Sequence, residues 1–443
     1  MTISQLPEIA SLREHRSLVR IPPEEDIPLT PRVQRLMDTA PFRRLSRISQ
    51  LGLVSLVYPA AHHTRFEHSL GTYRLALLCL DQLSSDPRFR QRVSADDAQV
   101  FIAASLLHDV GHWPFCHPIE DLQLPQVPRH ELLAEFFLST TEIADLLEND
   151  WNTTPAAILR LLNGSPEDAS GKILQNLIAG PIDVDKMDYL PRDSLHAGVP
   201  YGRHFDRQRI LGSLCINEAG NGIAISEKGR TAAEMMVFSR YVMFSEVYWH
   251  HAVRSATAML QRAFYRLHTT IDLPELFRQD EKTMVDQLRR LASNTSIAPH
   301  IDGLFGPRRL LFKRLGQFSL LKDPQLYASL ARRPYNWLID LSRQLAEKFS
   351  IQLGMEVGED DVLIDAPPAK LEVEFNVPIY YPKESCYRML GDVSPVVRAL
   401  AHTQFDDYVK QVRIFIHPRL ADHSDTLLSA GPLLDDLLDP DDD

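Results

Sequence analysis

Histidine is the side chain best placed to do chemistry in this sequence. Seven of its seventeen histidines fall between His62 and His130: His62, His63, His68, His108, His112, His117 and His130. His108 is followed directly by Asp109, and Asp183, Asp185 and Asp188 arrive about seventy residues later in IDVDKMDYLPRD. Imidazoles and carboxylates from separated segments make a mixed nitrogen and oxygen donor set, suited to Mn, Fe, Ni, Co, Zn or Mg and not to Cu(I). His108 and His112 also have the spacing of a zinc pair. The general base of H-E-x-x-H is missing, however, because Asp109, Val110 and Gly111 lie between them. Lone histidines such as His268 and His402 read as surface or hydrogen-bonded core residues, and adjacent His250 and His251 as helix-packing residues.

Helices must position these donors. The segment DDAQVFIAASLLH, Asp96 to His108, opens on polar capping residues and then turns apolar, which predicts a buried helix whose C-terminal end delivers His108 and Asp109. Gly111 disfavours continuation, so the helix is expected to end near Asp109, beside a turn through Gly111 and Pro114. The apolar stretch Ser69–Leu83 predicts a buried helix behind His68, and Pro31–Leu51 an amphipathic helix kinked at Pro41. Further helices are expected at Glu131–Leu138, Thr141–Glu148, Ala156–Leu162, Ile173–Ile178, Thr231–Leu267, Lys282–Ser293 and Asn336–Phe349. Short strands are expected at Ile223–Ser226, Glu372–Val377 and Arg413–His417.

The chain of 443 residues is long enough for more than one core, at a hydrophobic fraction of 44%. Its net charge of −12 argues against a protein that coats nucleic acid or an anionic membrane. Half of that charge sits in the tail, where six of the nine residues Asp435–Asp443 are Asp. Four scattered cysteines, Cys79, Cys116, Cys215 and Cys386, form no C-x-x-C pair, which points to a reduced, cytoplasmic protein without a disulfide framework. The first thirty residues, with Glu8, Arg13, Glu14, Arg16 and Arg20, hold no apolar export segment, and no later stretch reads as a membrane span.

Three motifs, HTRFEHS (63–69), LLHDVGHWPFCH (106–117) and DVDKMDYLPRD (183–193), occur in an order that resembles the HD-domain superfamily of metal-dependent phosphohydrolases. More narrowly they resemble its deoxynucleoside triphosphate triphosphohydrolases, over about residues 36–260. The resemblance implies that His68, His108, Asp109 and Asp185 bind one divalent metal ion, with open positions for water and a phosphate oxygen. Asp183 and Asp188 flank that set and are expected in solvated or hydrogen-bonding roles. It also implies that Arg65, His112, His117, Lys186 and Arg240 surround a triphosphate. His130 is implied as general acid, oriented by Glu120 or Glu131, with His117 a competitor for that role. Gln50, Leu51, Tyr189 and Asp193 match sugar contacts, and Tyr248 a position beside base and sugar.

The expected fold is mainly α, a multi-helix HD-domain core with a smaller α+β C-terminal region. Its segments are an N-terminal extension (1–30), the HD domain (31–270), the α+β region (271–430) and the acidic tail (431–443). The expected reaction is metal-dependent hydrolysis of a dNTP to deoxynucleoside and triphosphate. The alternatives are an HD-type nucleotidase or phosphodiesterase, or a non-catalytic module that senses nucleotides or binds single strands. For the last, Arg308-Arg309, Lys313-Arg314 and Arg332-Arg333 are interleaved with Phe312, Phe318, Tyr327 and Tyr335; solvated helix faces explain them better, so nucleic acid is not the favoured partner. The resemblance also implies a homo-oligomer, a tetramer being favoured, and a nucleotide activator. Two departures bear on activation. The loop Ile21–Glu25 replaces the family's Asp-Pro-Val/Ile-His-Gly, and Ser46 stands where an Arg accompanies Asp38. Arg43, Arg44 and Arg47 are left as other phosphate holders, and Phe244 replaces a pocket His.

Overall fold

Polar caps and apolar interiors set the starts of the helices that carry the candidate site. In the computed structural model, which describes residues 1–13, 17–23, 25–368, 376–402 and 409–428, Ser94 and Asp97 close a capping box at the start of helix Ala95–Leu107. Thr64 accepts from the Glu67 N–H ahead of helix Arg65–Leu83, and Asp183 accepts from the Lys186 N–H ahead of helix Val184–His196. Helix Arg65–Leu83 packs against both of the others and is buried along most of its length. The acidic tail and most of the expected strand Glu372–Val377 lie outside the described residues.

Two expected helices divide. Pro31–Leu51 becomes helices Pro31–Met37 and Ala40–Arg44 followed by a short 3-10 turn, because Thr39 takes a non-helical backbone and Pro41 opens the second helix. Thr231–Leu267 becomes Arg230–Met243 and His251–Leu267, separated by a wide π-type turn at Phe244–Tyr248. His250 ends that turn and accepts from the Ala252 N–H, so it caps the second helix.

Strand β1 (Leu18–Ile21) pairs antiparallel with β2 (Glu25–Pro28). A four-stranded sheet runs β3 (Leu214–Ile216), β4 (Ile223–Ser226), β7 (Pro378–Tyr381) and β8 (Cys386–Met389). Within it β4 and β7 are parallel, so a late segment of the chain completes a sheet begun far earlier. A three-stranded antiparallel sheet places β9 (Val412–Ile416) between β5 (Lys313–Phe318) and β6 (Val362–Asp365).

That last sheet is covered on both faces. Val362, Ile364, Val412, Ile414 and Ile416 join a second core with helix Tyr335–Leu353, while Leu363 and Phe415 join the main core, which holds helix His251–Leu267. Burial of both faces explains why Val362–Ile364 of β6 and Ile414–Ile416 of β9 are apolar without alternation, while buried Asp365 and Arg413 stand opposite each other in the register. Phe312 and Tyr327 are buried in these cores, so their rings serve packing and not base stacking. No helix among the described residues is long and apolar enough to cross a membrane.

Candidate active site

Three helix ends converge on one pocket. The first turn of Arg65–Leu83 supplies His68, the C-terminal end of Ala95–Leu107 supplies His108 and Asp109, and the first turn of Val184–His196 supplies Asp185. Nε2 of His68 lies 3.2 Å from Nε2 of His108 and 3.0 Å from Asp185 Oδ1. His108 Nε2 lies 3.5 Å from Asp109 Oδ1 and 3.9 Å from Asp185 Oδ1. The helix ends at Leu107, as the turn through Gly111 requires.

The donor set fits a divalent cation. His68 Nδ1 faces Asp188 Oδ2 at 2.8 Å and His108 Nδ1 faces the Ser105 carbonyl at 3.0 Å, so both rings use Nδ1–H as a donor. That leaves the two Nε2 atoms, 3.2 Å apart and beside Asp185, as the place where a proton or a metal ion would sit. Burial opposes a charged imidazole, yet hydrogen bonds from the ring to the Asp185 and Asp188 carboxylates hold the His68 pKa up to about 10. The group can hold a metal ion, although its donors do not select one divalent metal.

A row of side chains leads away from this pocket. Asp109 Oδ2 accepts from Arg65 Nη1 at 2.8 Å, and Asp109 Oδ1 lies 3.0 Å from His112 Nδ1. Against burial, the Arg65 guanidinium keeps the Asp109 carboxyl well below its usual range. Burial and Arg65 hold His112 neutral. The His112 ring packs on His130 with centroids 4.0 Å apart. Glu120 then clamps His130, accepting from its backbone N–H (2.7 Å) and facing its Nδ1 (2.9 Å). The Glu120 carboxyl is held well below its usual range, since its interactions with His117 and His130 outweigh burial. Glu131 stands farther off, 3.6 Å from His130 Nδ1, and His117 Nδ1 is 3.8 Å from Glu120. Gly111 allows this approach, because a Cβ there would meet the His130 carbonyl at 2.3 Å.

On the other side, Asp193 accepts from Tyr248 Oη at 2.6 Å and faces His63 Nε2 at 2.8 Å, while His63 stacks on His196. The turn that divides the two long helices is thus what carries Tyr248 to Asp193. Arg240 acts electrostatically on both Tyr189 and Tyr248, whose phenols burial pushes up. The Gln50 backbone N–H donates to the His63 carbonyl, placing Gln50 beside Asp193's partner, and neighbouring Leu51 is half-buried against the main core. Lys186 is committed elsewhere: its Nζ donates to Asp183 Oδ2 at 2.5 Å and to the Gly180 carbonyl at 3.1 Å.

The residues around these groups were less evident from the motifs. Asp188, fully buried, accepts from Arg192 Nε and Nη2 as well as facing His68, and Arg192 also donates to Glu67 and to the Pro22 carbonyl. The i,i+4 spacing of Asp188 and Arg192 was the available signal for that pair. His63 lies inside a quoted motif without an assigned partner. Arg44 corrects an expectation: it is buried and donates to the carbonyls of Val110, His112 and Gln279, so it braces the loop after Asp109 and does not hold phosphates.

Similarity to known proteins follows the same segments. The HD domain model matches residues 65–193, and the HD associated region model matches residues 205–421. An uncharacterized protein of Methanocaldococcus jannaschii is 32% identical over 384 residues, which cover 85% of this chain and 74% of that one. Human deoxynucleoside triphosphate triphosphohydrolase SAMHD1 is 29% identical over 279 residues, 56% of this chain and 44% of that protein, so the chain spans less than half of its length. The crystal structure of a hypothetical protein from Aquifex aeolicus superposes with a TM-score of 0.71, covering 93% of this chain and 99% of that one at 27% identity. The matched HD segment holds His68, His108 and Asp185, which together could hold a metal ion, with Asp109 beside them, and the chain belongs to the HD-domain family of metal-dependent phosphohydrolases.

Proposed function

We propose that the chain hydrolyses deoxynucleoside triphosphates, with water attacking the α-phosphorus and deoxynucleoside and triphosphate as products. The observation that carries this reading is the shared edge between the metal pocket and the proton-transfer couple: Asp109 lies against His112, which lies against His130. The activity named for the human relative supports the substrate class.

Bound by His68, His108, Asp109 and Asp185, a divalent cation supplies Lewis-acid polarisation of a phosphoryl oxygen and activation of water. Arg65 places one N–H on Asp109 and has further N–H groups for phosphate oxygens. Glu120 on Nδ1 of His130 leaves Nε2 as the atom that holds a proton and passes it to the leaving 5′-oxygen. His117, more exposed, is the second candidate for that transfer. Neutral His112 packs on the His130 ring and steadies it. Asp193 has lone pairs beyond those used by His63 and Tyr248 and takes the sugar hydroxyl, while Tyr189 packs near C2′. Gln50, Leu51 and Arg240 complete that side, and Lys186 reaches a phosphate only by leaving Asp183. We further propose a cytoplasmic homo-oligomer, a tetramer being favoured, that is open to nucleotide activation.

The test is incubation of the purified chain with Mn²⁺ or Mg²⁺ and each dNTP, followed by product separation. Deoxynucleoside and triphosphate are expected. Monophosphate or orthophosphate as the phosphorus product overturns the assignment in favour of a nucleotidase or phosphodiesterase.

A further inference from the structure

Cys116 has no part in the chemistry above, yet it is buried among the groups that carry it. It opens the short helix Cys116–Glu120, directly after Phe115, whose positive φ of 56° turns the chain sharply. One donor atom from each of His112, Cys116 and His117 lies within 4.8 Å of the others, and the same holds for Cys116, Glu120 and His130. The three imidazoles form one cluster, with ring centroids 4.0 Å apart for His112 and His130, 5.4 Å for His112 and His117, and 5.8 Å for His117 and His130. His112 is more than nine-tenths buried, its Nδ1 turned toward Asp109 at 3.0 Å on the side of the first pocket.

We propose that Cys116, His112 and His117, completed by His130, form a second metal site that takes zinc or another thiophilic divalent cation and holds the enzyme inactive. Donor chemistry separates it from the first pocket. That pocket is nitrogen and oxygen only, whereas this one offers one sulfur and three nitrogens, a set preferred by tetrahedral zinc. Zinc bonds of about 2.0–2.3 Å require these donors to close by about an ångström, within reach of side-chain torsions. Glu120 on His130 Nδ1 is the carboxylate–histidine support that metal ligands use, the counterpart of Asp188 on His68. Binding is balanced by loss of the thiol proton to solvent as the sulfur–metal bond forms. Zinc there occupies His117 and His130, the two candidates for proton transfer, so inhibition follows from competition for the same nitrogens. The metal site itself does not depend on which phosphoester the enzyme cleaves.

The test uses the full chain freed of metal and titrated with Co²⁺ and Zn²⁺. Wild type is expected to bind two equivalents and to show a thiolate-to-cobalt charge-transfer band in the near ultraviolet. Cys116→Ser is expected to bind one equivalent without the band, and Asp185→Ala to lose the other equivalent while keeping the band. His117→Ala, at a more exposed position, is expected to weaken the band-forming equivalent at least about tenfold, which keeps the test valid if the Cys116 variant folds poorly. With the chain's own phosphohydrolase substrate, zinc inhibition is expected to be relieved in Cys116→Ser. A single equivalent in wild type, absence of the band, or a second equivalent that survives Cys116→Ser overturns the site. Undiminished zinc inhibition of that variant overturns the inhibitory role.

Discussion

Replacing Asp188 by Asn changes one atom in the support of the metal pocket, and its effects can be worked out in advance. Asp188 Oδ2 faces His68 Nδ1 and accepts from Arg192 Nε, both at 2.8 Å, while Oδ1 accepts from Arg192 Nη2 at 2.7 Å. An Asn has one acceptor. If its oxygen takes the Oδ2 position, His68 keeps its partner, but the new NH₂ points at Arg192 Nη2, donor against donor. If the amide is flipped, the NH₂ faces His68 Nδ1, which then becomes the acceptor and carries the ring proton to Nε2, where it blocks metal ligation. Either arrangement leaves a buried donor unpaired at a cost of about 1–3 kcal/mol. It also removes the charge that makes His68 a better ligand, worth about 10–100-fold in metal affinity. Space offers no relief, since a Cβ at Gly71 would already lie 1.9 Å from Asp188 Oδ1. The assay is thermal unfolding of the metal-free protein together with equilibrium dialysis of Mn²⁺. Asp188→Asn should unfold at lower temperature and bind Mn²⁺ at least about tenfold more weakly. Wild-type affinity in a folded variant refutes the argument that Asp188 sets the His68 tautomer.

Two further outcomes follow from the packing. Gly111→Ala drives a methyl into the His130 carbonyl and the Ala134 nitrogen, at 2.3 and 2.6 Å, so helix His130–Leu138 must shift. A fall in kcat of about a hundredfold is expected with Mn²⁺ binding unchanged, and an active variant refutes the positioning argument. His300 is buried with neither ring nitrogen hydrogen-bonded, and burial lowers its pKa from 6.5 to about 4. The unfolded chain therefore binds the proton more readily, and the stability His300 contributes at neutral pH is lost as pH falls from 6.5 toward 4, by about 3 kcal/mol in all. His300→Phe should flatten denaturant-measured stability across that window; an unchanged slope assigns the acid sensitivity to other groups.

What could be read from the chain divides along sequence distance. Helix Ala95–Leu107, with His108 and Asp109 at its end, was legible within one residue because its capping residues and apolar run are local. The groups that hold the ligands were not. Arg192 collects Asp188 from its own helix, but Glu67 from another helix and the Pro22 carbonyl from the start of the chain. No periodicity links such distant positions. Thr231–Leu267 read as one helix since every residue suits one, yet Tyr248 bonding to Asp193 and His250 capping the next helix favour a break. Likewise β4 was visible as a strand at Ile223–Ser226, while its parallel partner β7 enters about 150 residues later, beyond any local signal. The expected strand at Arg413–His417 came within a residue of β9, but its burial on both faces depends on two helices from other parts of the chain.

The sign of the whole molecule is a poor guide to its pocket. A net charge of −12 disfavours a general polyanion binder, but the pocket is governed by charges within a few ångströms, where screening is weak. There Asp109, Asp185 and Asp188 outnumber the directly paired cations Arg65 and Arg192. Buried carboxylates persist only when paired, hydrogen-bonded or bound to a metal. The deficit falls at one spot, between the two Nε2 atoms, and the high proton affinity of His68 is its signature. A divalent ion held there by His68, His108 and Asp185 would take the place of that proton with more charge, and would favour an anionic group beside it. Arg65, with one N–H on Asp109, would then turn its remaining N–H groups toward such a group.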